Sequence, residues 1–408
     1  MWYIGAMNLC IFEDEKYVNF YPLTLSRPVF ELRTGTRSLR EKLLHFFPAN
    51  KIFILTRPYL EDILMEGLKN ISFEIPKEPT LFINGRVIPT QSLENSITFR
   101  GEEILFFNNE TLIAAHVKNG KSFEARLRKK NFEGYKREEI DAKIVNYPWE
   151  LVNQNGSEIE KEFNLFGNSI PPQRDVTMLR KEHIFIGENV VIMPGVVIDA
   201  DEGPVIIDNG ARIMPNCYLE GPLYIGKNSL IKAGARIYSA SSIGNICKVG
   251  GELETSIFHG YSNKQHEGFI GHSYIGEWVN IGADTNNSDL KNNYKEVTVY
   301  INNKPVNTEL TFVGSFIGDH SKTAINTMLN TGTVIGFSSN IFGEGFPLKF
   351  VPSFSWGGRR RLSIYKIEKA IETARLVMAR RKVKMSDAYE RMMEQIFEET
   401  KKERNNGT

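Results

Sequence analysis

The chain has 408 residues, of which 24% are charged, and its formal net charge is +1. This length allows two domains, and the near balance of charge argues against general binding to nucleic acid or to an anionic membrane surface. Three cysteines, Cys10, Cys217 and Cys247, match no metal-binding spacing and are predicted to be buried, reduced thiols in a cytosolic protein.

The first part of the chain, to about residue 165, alternates short apolar runs with helical patterns. Its apolar start, Trp2–Phe12, is too short to span a bilayer, and its second half is predicted to be a buried strand. The predicted strands are Asn8–Phe12, Lys51–Thr56, Thr80–Asn84 and Ile104–Phe107, and the predicted helices are Ser38–Phe47 and Pro58–Lys69. Alternating strands and helices indicate a layered α/β domain.

The second half of the chain repeats an aliphatic residue at every sixth position. The longest unbroken run is Ile207, Ile213, Leu219, Ile225, Ile231, Ile237, Ile243 and Val249. This period fits neither an α-helix nor a hairpin, but it is typical of a parallel β-helix in which three hexapeptides close one triangular coil. The aliphatic residues then stack inside the coil, and small residues form its corners.

Two departures from the repeat are informative. The polar segment Asp284–Phe312 interrupts it, and insertions of this kind loop out from one edge of a solenoid. From about Leu362 the apolar spacing becomes helical, which predicts a C-terminal helix packed on the open end of the β-helix.

One N-terminal segment, Tyr21–Arg33, contains Pro-Leu-Thr followed by Arg-Pro and resembles the signature of sugar-phosphate nucleotidyltransferases. The resemblance implies a Rossmann-like domain that joins a nucleoside triphosphate to a sugar 1-phosphate, with Mg²⁺ as the cofactor. Such a site needs cations to screen the repulsion between phosphates. The residues assigned to nucleotide or sugar-phosphate binding are Arg27, Arg33, Gly35, Arg37, Lys42 and Asn84. The alternative, that these cations form a solvated helix face and loop, stays open.

The same half departs from the family at two positions. The glycine-rich loop is replaced by Glu13–Phe20, which has no glycine, and Arg86 stands where the family has its metal-binding Asp. Glu13 or Asp14 could replace that ligand, so the metal-binding residues stay undetermined.

A second motif lies in the repeats, where Ser262–Gly271 is followed by Tyr274–Ala283. Together they resemble the acetyltransferase domain of the bifunctional GlmU family. The resemblance implies that His266 is the general base that deprotonates an amine attacking acetyl-CoA, and that Lys264 and Asn280 bind the sugar phosphate. The alternative is that His266 is an ordinary histidine in a surface loop.

Trimeric hexapeptide enzymes that resemble this chain bind CoA between neighbouring subunits. Lys322 is accordingly predicted to meet the CoA phosphates, with a solvated charge as the alternative. The residues that follow the motif, Ser288–Lys291, differ from the family pattern, so the acceptor sugar stays undetermined.

These observations predict a Rossmann-like nucleotidyltransferase domain at residues 1–165, a left-handed parallel β-helix at 166–352 and a helical tail at 353–408. The left-handed turn comes from the hexapeptide resemblance and is an exception to the usual crossover rule. The predicted protein is a cytoplasmic homotrimer that makes nucleotide sugars from a nucleoside triphosphate, a sugar 1-phosphate and acetyl-CoA. Two alternatives stay open: a monofunctional nucleotidyltransferase whose β-helix oligomerises, and a non-catalytic binder of nucleotide sugars.

Overall fold

The computed structural model describes residues 8–98, 101–167, 169 and 175–405. It divides into two compact units. The first comprises Met1–Val18, Arg27–Leu32 and Arg37–Asn146, and the second comprises Asn19–Ser26, Arg33–Thr36 and Tyr147–Thr408. The second unit therefore takes two short segments and one helix from the region predicted as the first domain.

The first unit is an α/β domain built on one seven-stranded sheet. The seven strands of the sheet are β1 (Asn8–Phe12), β4 (Ile52–Leu55), β5 (Ile71–Ser72), β6 (Thr80–Asn84), β7 (Ile104–Asn108), β8 (Thr111–Val117) and β9 (Lys136–Glu139). The unit also contains the short strand β3 (Arg37–Ser38), outside this sheet, and the helices α1 (Leu39–Phe46), α2 (Glu61–Gly67), α3 (Gln91–Ser96) and α4 (Gly120–Arg128). The sheet order is β5-β4-β1-β6-β8-β7-β9. Only β8 runs antiparallel to its neighbours, so this is the predicted layered domain.

Local sequence explains how these elements begin and pack. Ser38 and Glu41 form a capping box at the start of α1, which satisfies backbone donors that a helix end leaves without partners. The core between sheet and helices is strongly aromatic, since Phe82 packs edge-on against Phe123. Burial also raises the pKa of the Cys10 thiol, in keeping with an inert core cysteine.

The second unit holds the β-helix and most of the strands. They are β2 (Arg33–Thr34), β10 (Thr177–Leu179), β11 (Ile184–Ile186), β12 (Val191–Ile192), β13 (Val197–Asp199), β14 (Val205–Ile207), β15 (Arg212–Ile213), β16 (Tyr218–Glu220), β17 (Leu223–Ile225), β18 (Leu230–Ile231), β19 (Arg236–Ile237), β20 (Ser241–Asn245), β21 (Lys248–Val249), β22 (Glu252–Glu254), β23 (Ile257–Gly260), β24 (Asn263–Lys264), β25 (Phe269–Gly271), β26 (Tyr274–Glu277), β27 (Asn286–Asn287), β28 (Thr298–Ile301), β29 (Lys304–Asn307), β30 (Phe316–Ile317), β31 (Lys322–Thr323), β32 (Met328–Leu329), β33 (Val334–Ile335), β34 (Asn340–Ile341), β35 (Phe350–Val351), β36 (Ser355–Gly358) and β37 (Arg361–Ile364).

Three parallel sheets form the sides of the coil, and the six-residue repeat sets their register. The first runs β10-β13-β16-β19-β22-β25, the second β11-β14-β17-β20-β23-β26-β30-β33-β35 and the third β12-β15-β18-β21-β24. Ile213, Ile231 and Val249 are paired partners in the third sheet and are fully buried. Every third hexapeptide thus falls on the same side of the coil, as predicted.

The predicted insertion, Asp284–Phe312, begins inside the coil, where β27 pairs in parallel with β32. The rest of the segment carries a hairpin of β28 and β29. The tail forms α6 (Ile367–Ala379), α7 (Asp387–Glu399) and α8 (Lys401–Asn405), while α5 (Pro148–Glu162) precedes the coil. The tail contacts successive coils, because Tyr389 meets His320 and Phe397 packs on Phe354. The tail therefore packs on the side of the β-helix, including its last coil, and covering of the open end stays a prediction.

The predicted fold class is confirmed: an α/β domain, then a left-handed parallel β-helix, then C-terminal helices. Among the described residues, no helix combines the length and apolar character that a membrane-spanning segment needs.

Candidate functional site

The first unit contains a cavity of 670 Å³ at the carboxyl ends of β1, β4 and β6. Ligands of open α/β sheets bind at this edge, in the crevice beyond the strands. The cavity is lined by Phe12, Glu13, Asp14, Glu15, Lys16, Tyr17, Leu55, Thr56, Arg57, Pro58, Asn84, Glu110, Thr111, Leu112, Leu127, Arg128, Lys130 and Phe132. Asn84 is the one predicted binding residue in that lining.

Asp14, which follows β1, is held by a buried arginine. The Arg86 side chain is fully buried and donates from Nε to Asp14 Oδ1 at 2.8 Å and from Nη2 to Oδ2 at 2.5 Å. Asn84 Nδ2 adds a hydrogen bond to Asp14 Oδ2 at 2.9 Å. Burial alone would raise the pKa of Asp14, but the hydrogen bonds and charge of Arg86, with the Asn84 amide, lower it below its ordinary value. Asp14 therefore stays ionised and paired.

Glu13 is held in the same way by a second arginine. Arg57 donates to Glu13 from Nε at 3.2 Å and from Nη2 at 3.3 Å. The Thr56 hydroxyl and the Val29 backbone N–H also donate to this carboxylate, at 2.5 and 2.8 Å. The Arg57 guanidinium lies over the ring of Tyr17 at 4.3 Å, which fixes its plane.

These contacts decide whether the pocket fits the predicted Mg²⁺. A magnesium ion needs carboxylate oxygens that can turn toward it. The carboxylate oxygens of Glu13 and Asp14 instead accept hydrogen bonds from guanidinium, hydroxyl, amide and backbone N–H groups. The part of the chain that the structure describes also contains no group of three or more His, Cys, Asp or Glu side chains placed to hold a metal. Glu13 and Asp14, the two carboxylates considered as metal ligands, therefore do not fit the ion.

The other predicted cations of this half lie elsewhere. Arg27 is buried, and its carbonyl oxygen accepts a hydrogen bond from Arg57 Nη2 at 2.8 Å. Lys42 is buried on α1, and Arg37 is half-buried in β3. None of the three lines the cavity.

Arg33 and Gly35 belong to the second unit. The described contacts of these two residues are packing contacts and do not support their predicted role in phosphate binding. Gly35 donates its N–H to Asn155 Oδ1 at 2.7 Å, and a Cβ there would lie 2.7 Å from Glu162 Oε2. Its φ of +70° also favours glycine. The Arg33 guanidinium lies 5.7 Å from the ring centroid of Tyr224. Both residues therefore pack this segment against α5 and the β-helix.

In the β-helix, Lys264 occupies an inward position. It is the paired partner of Val249 in the stack of aliphatic residues, and only 1% of its surface is exposed. Its Nζ donates to the carbonyl oxygens of Gly250 at 2.8 Å and His266 at 3.1 Å. Burial lowers the pKa of Lys264 to about 8. The side chain thus points into the coil, where a sugar phosphate cannot reach it.

His266 and Asn280 are both exposed, in keeping with a site open to a substrate. Asn280 accepts from Asn263 Nδ2 at 3.5 Å. Lys322 is half-buried, and its Nζ donates to the carbonyl oxygen of His320 at 2.8 Å. Burial lowers the pKa of Lys322 to about 8. The Lys322 amine is therefore held by the backbone two residues before it in the chain.

One pair that sequence reasoning missed is His272 with Asp289. His272 Nδ1 lies 2.8 Å from Asp289 Oδ2, and the imidazole stacks on Phe312 with ring centroids 5.1 Å apart. When Nδ1 carries the proton it donates to the carboxylate, and Nε2 is then the basic nitrogen. Asp289 and Phe312 come from the insertion, and no local spacing signals their contact with a residue before it.

Comparisons with known proteins find similarity over parts of the chain. Residues 9–169 match the family model of sugar nucleotidyl transferases. The chain is 31% identical over 169 residues to the bifunctional protein GlmU of Wigglesworthia glossinidia brevipalpis, which covers 41% of this chain and 33% of the relative. It is 34% identical over 147 residues to a bifunctional sugar-1-phosphate nucleotidylyltransferase/acetyltransferase of Sulfurisphaera tokodaii, covering 35% of this chain and 36% of the relative. The chain thus spans about a third of the length of these curated relatives.

Two solved structures are also similar. The Arabidopsis UDP-N-acetylglucosamine acyltransferase shares 16% identity and a TM-score of 0.29, over 52% of this chain and 80% of that one. The Campylobacter jejuni UDP-N-acetylglucosamine acyltransferase shares 11% identity and a TM-score of 0.28, over 55% and 95%. TM-scores this low carry no argument about the present chain.

Proposed function

We propose that this chain is a transferase of nucleotide-sugar metabolism. Its α/β domain would bind a nucleoside triphosphate and a sugar 1-phosphate, and its β-helix would transfer an acetyl group from acetyl-CoA to an amino sugar. The observation that carries the proposal is the 670 Å³ cavity at the carboxyl ends of the strands, within the residues that match the sugar nucleotidyl transferase family. The homotrimer and the cytoplasmic location stay predictions.

The acetyl transfer needs a base, because an ammonium group has no lone pair to attack a thioester. The base removes a proton from the amine, the new N–C bond forms, the C–S bond breaks, and CoA leaves as a thiol after it takes up a proton. Resemblance favours His266 as this base, and its exposure allows substrate access. Geometry favours His272, because Asp289 orients its ring.

Thiol release from acetyl-CoA distinguishes the two histidines. Purified chain would be assayed with a panel of hexosamine 1-phosphates, and His266→Ala and His272→Ala would be compared with wild type. Loss of the base is expected to lower kcat by about 100-fold or more. Loss in H266A alone would support the resemblance, and loss in H272A alone would make His272 the base. An unchanged rate in both variants would remove both from the mechanism.

His272→Ala also breaks a contact to the insertion, so H272A needs a structural control. Phe312→Leu removes the stacking partner of His272 and leaves both nitrogens intact. A rate that falls in H272A but not in F312L would therefore report chemistry. Equal losses would show that His272 only positions the insertion.

A second candidate function has its own support. Both carboxylates at the end of β1 are held by arginines, which favours a pocket that binds a nucleotide sugar without transferring the nucleotidyl group. The β-helix would then carry the only transfer activity.

A further inference from the structure

The outer face of the third sheet carries a row of polar side chains. Lys248 and Asn263 are paired partners on neighbouring coils, and bridges continue the row through Asn280 to Lys322. Neighbouring parallel strands lie about 4.8 Å apart. Lys248 and Asn263 are therefore adjacent on the surface of the β-helix.

The end of α6 adds arginines to this row. Arg381 Nη2 donates a hydrogen bond to Asn263 Oδ1, which places its guanidinium on the same face as Lys248. Lys232 lies one coil earlier, since a Cβ built at Gly250 would meet the Lys232 Cβ at 2.9 Å. Lys232, Lys248, Asn263, Arg380 and Arg381 are called the basic cluster below.

The basic cluster has no internal counter-charge. In the described residues, no carboxylate lies within ion-pair distance of its four cations, whereas Arg375 on α6 pairs with Glu390 at 2.6 Å. Burial lowers the pKa of Lys248, and the charges of Arg381, Arg380 and Lys232 lower it further. Burial and Arg380 likewise lower the pKa of Arg381. Partly buried like charges at this range repel one another, so an anion would relieve the repulsion.

We propose that the basic cluster is a binding site for the phosphate group of a phosphorylated ligand. Arg381 offers a planar fork that suits phosphate oxygens, Lys248 and Lys232 offer compact charges, and Asn263 fixes Arg381 in place. The 3′-phosphate of CoA and the phosphate of a sugar 1-phosphate present the same chemistry. The choice of these two ligands rests on the proposed function, but the test measures binding alone, so its failure is distinguishable from a failure of the transfer activities.

Isothermal titration of the full chain tests the site. The probes are inorganic pyrophosphate, CoA, CoA without its 3′-phosphate, and glucosamine 1-phosphate, all at one ionic strength. Arg381→Gln and Lys248→Met are each expected to weaken binding of the preferred probe by about tenfold. Arg375→Gln is the matched control on α6, and the affinity of this variant for the preferred probe is expected to stay at the wild-type value.

The outcomes are distinct. Tighter binding of CoA than of CoA without its 3′-phosphate identifies a CoA phosphate, and preference for glucosamine 1-phosphate identifies a sugar phosphate. Binding of no probe, or equal weakening in R381Q and R375Q, would overturn the proposal.

Thermal unfolding gives a second readout that a purely structural role would not reproduce. Pyrophosphate is expected to raise the Tm of wild type and to leave the Tm of K248M nearly unchanged. Without the anion, K248M is expected to be at least as stable as wild type, because one repulsive charge is gone. A lower Tm in K248M with an undiminished response to pyrophosphate would contradict the proposal.

Discussion

At the scale of single residues, the first unit is distinguished by two carboxylates, Glu13 and Asp14, that form ion pairs with Arg57 and Arg86 of the same unit. Arg86 is a fully buried cation that meets Asp14 with two donors and also donates to the Val145 carbonyl and the Asn146 side chain. Buried guanidinium–carboxylate pairs of this kind are costly to break, because the remaining charge is left without a partner in a medium of low dielectric.

Arg86→Met is therefore expected to lower the free energy of unfolding by about 3–5 kcal/mol. The double variant Arg86→Met with Asp14→Leu should recover part of that loss, because no unpaired charge remains. Arg128→Met is the matched control, since Arg128 is mostly exposed in its ion pair with Glu124. Loss of such an exposed pair is expected to lower the free energy of unfolding by about 0–1 kcal/mol. Urea unfolding measures the free energy of unfolding of all three variants. A loss in R86M as small as the loss in R128M would contradict the account of the Arg86–Asp14 pair.

The same contacts predict how the pocket treats metal. Mn²⁺ added to the chain without nucleotide is expected to keep its free electron-spin-resonance signal at equimolar protein, because Glu13 and Asp14 have no free oxygens to offer. A bound Mn²⁺ signal that disappears in Asp14→Asn would show instead that Asp14 exchanges Arg86 for a metal.

At the scale of elements, the six-residue repeat determines the β-helix, but one inward position carries a charge. The coil from Val249 to Lys264 is shorter than the coil from Ile231 to Val249, and Lys264 closes it by donating to carbonyls at a corner. Its burial lowers its pKa to about 8, against about 10.4 in an unfolded chain.

This difference predicts the pH dependence of the β-helix. Between about pH 8 and 10.4 the unfolded chain binds a proton at Lys264 that the folded chain releases, so stability rises with pH in that window. Lys264→Met should reduce this rise, and Lys227→Met, which changes an exposed lysine outside the aliphatic stack, should leave the rise unchanged. Unfolding midpoints measured across this window give the slope, and a slope unchanged in K264M would contradict the assignment.

Sequence alone predicted the elements well because each depends on local period. The limits of β1 and β6 agree with the prediction to the residue. Sequence reasoning is limited where contacts join distant segments. Gly35 has the residue type of a phosphate loop, but its backbone N–H donates to Asn155, 120 positions later. The His272–Asp289 pair was hidden for the same reason, and so was the inward position of Lys264, which depends on one short coil.

At the scale of the whole molecule, two units carry two kinds of binding chemistry. The first contains a cavity in which Glu13 and Asp14 are paired with arginines, and the second carries exposed His266 and Asn280 and the partly buried basic cluster on its repeats. The family model matches residues 9–169, and the curated relatives are similar to part of the chain. The central proposal is that the chain is a transferase for sugar-phosphate substrates.

The most direct test is a mass spectrum of products. The chain would be incubated with acetyl-CoA, UTP and dTTP, and a panel of hexose and hexosamine 1-phosphates, with Mg²⁺ in one set and EDTA in the other. The account predicts an N-acetylated sugar phosphate or a nucleotide sugar, and a nucleotide sugar would also identify both of its substrates. Folded protein that yields neither product with this panel, in Mg²⁺ or in EDTA, would contradict the claim that the chain is a transferase.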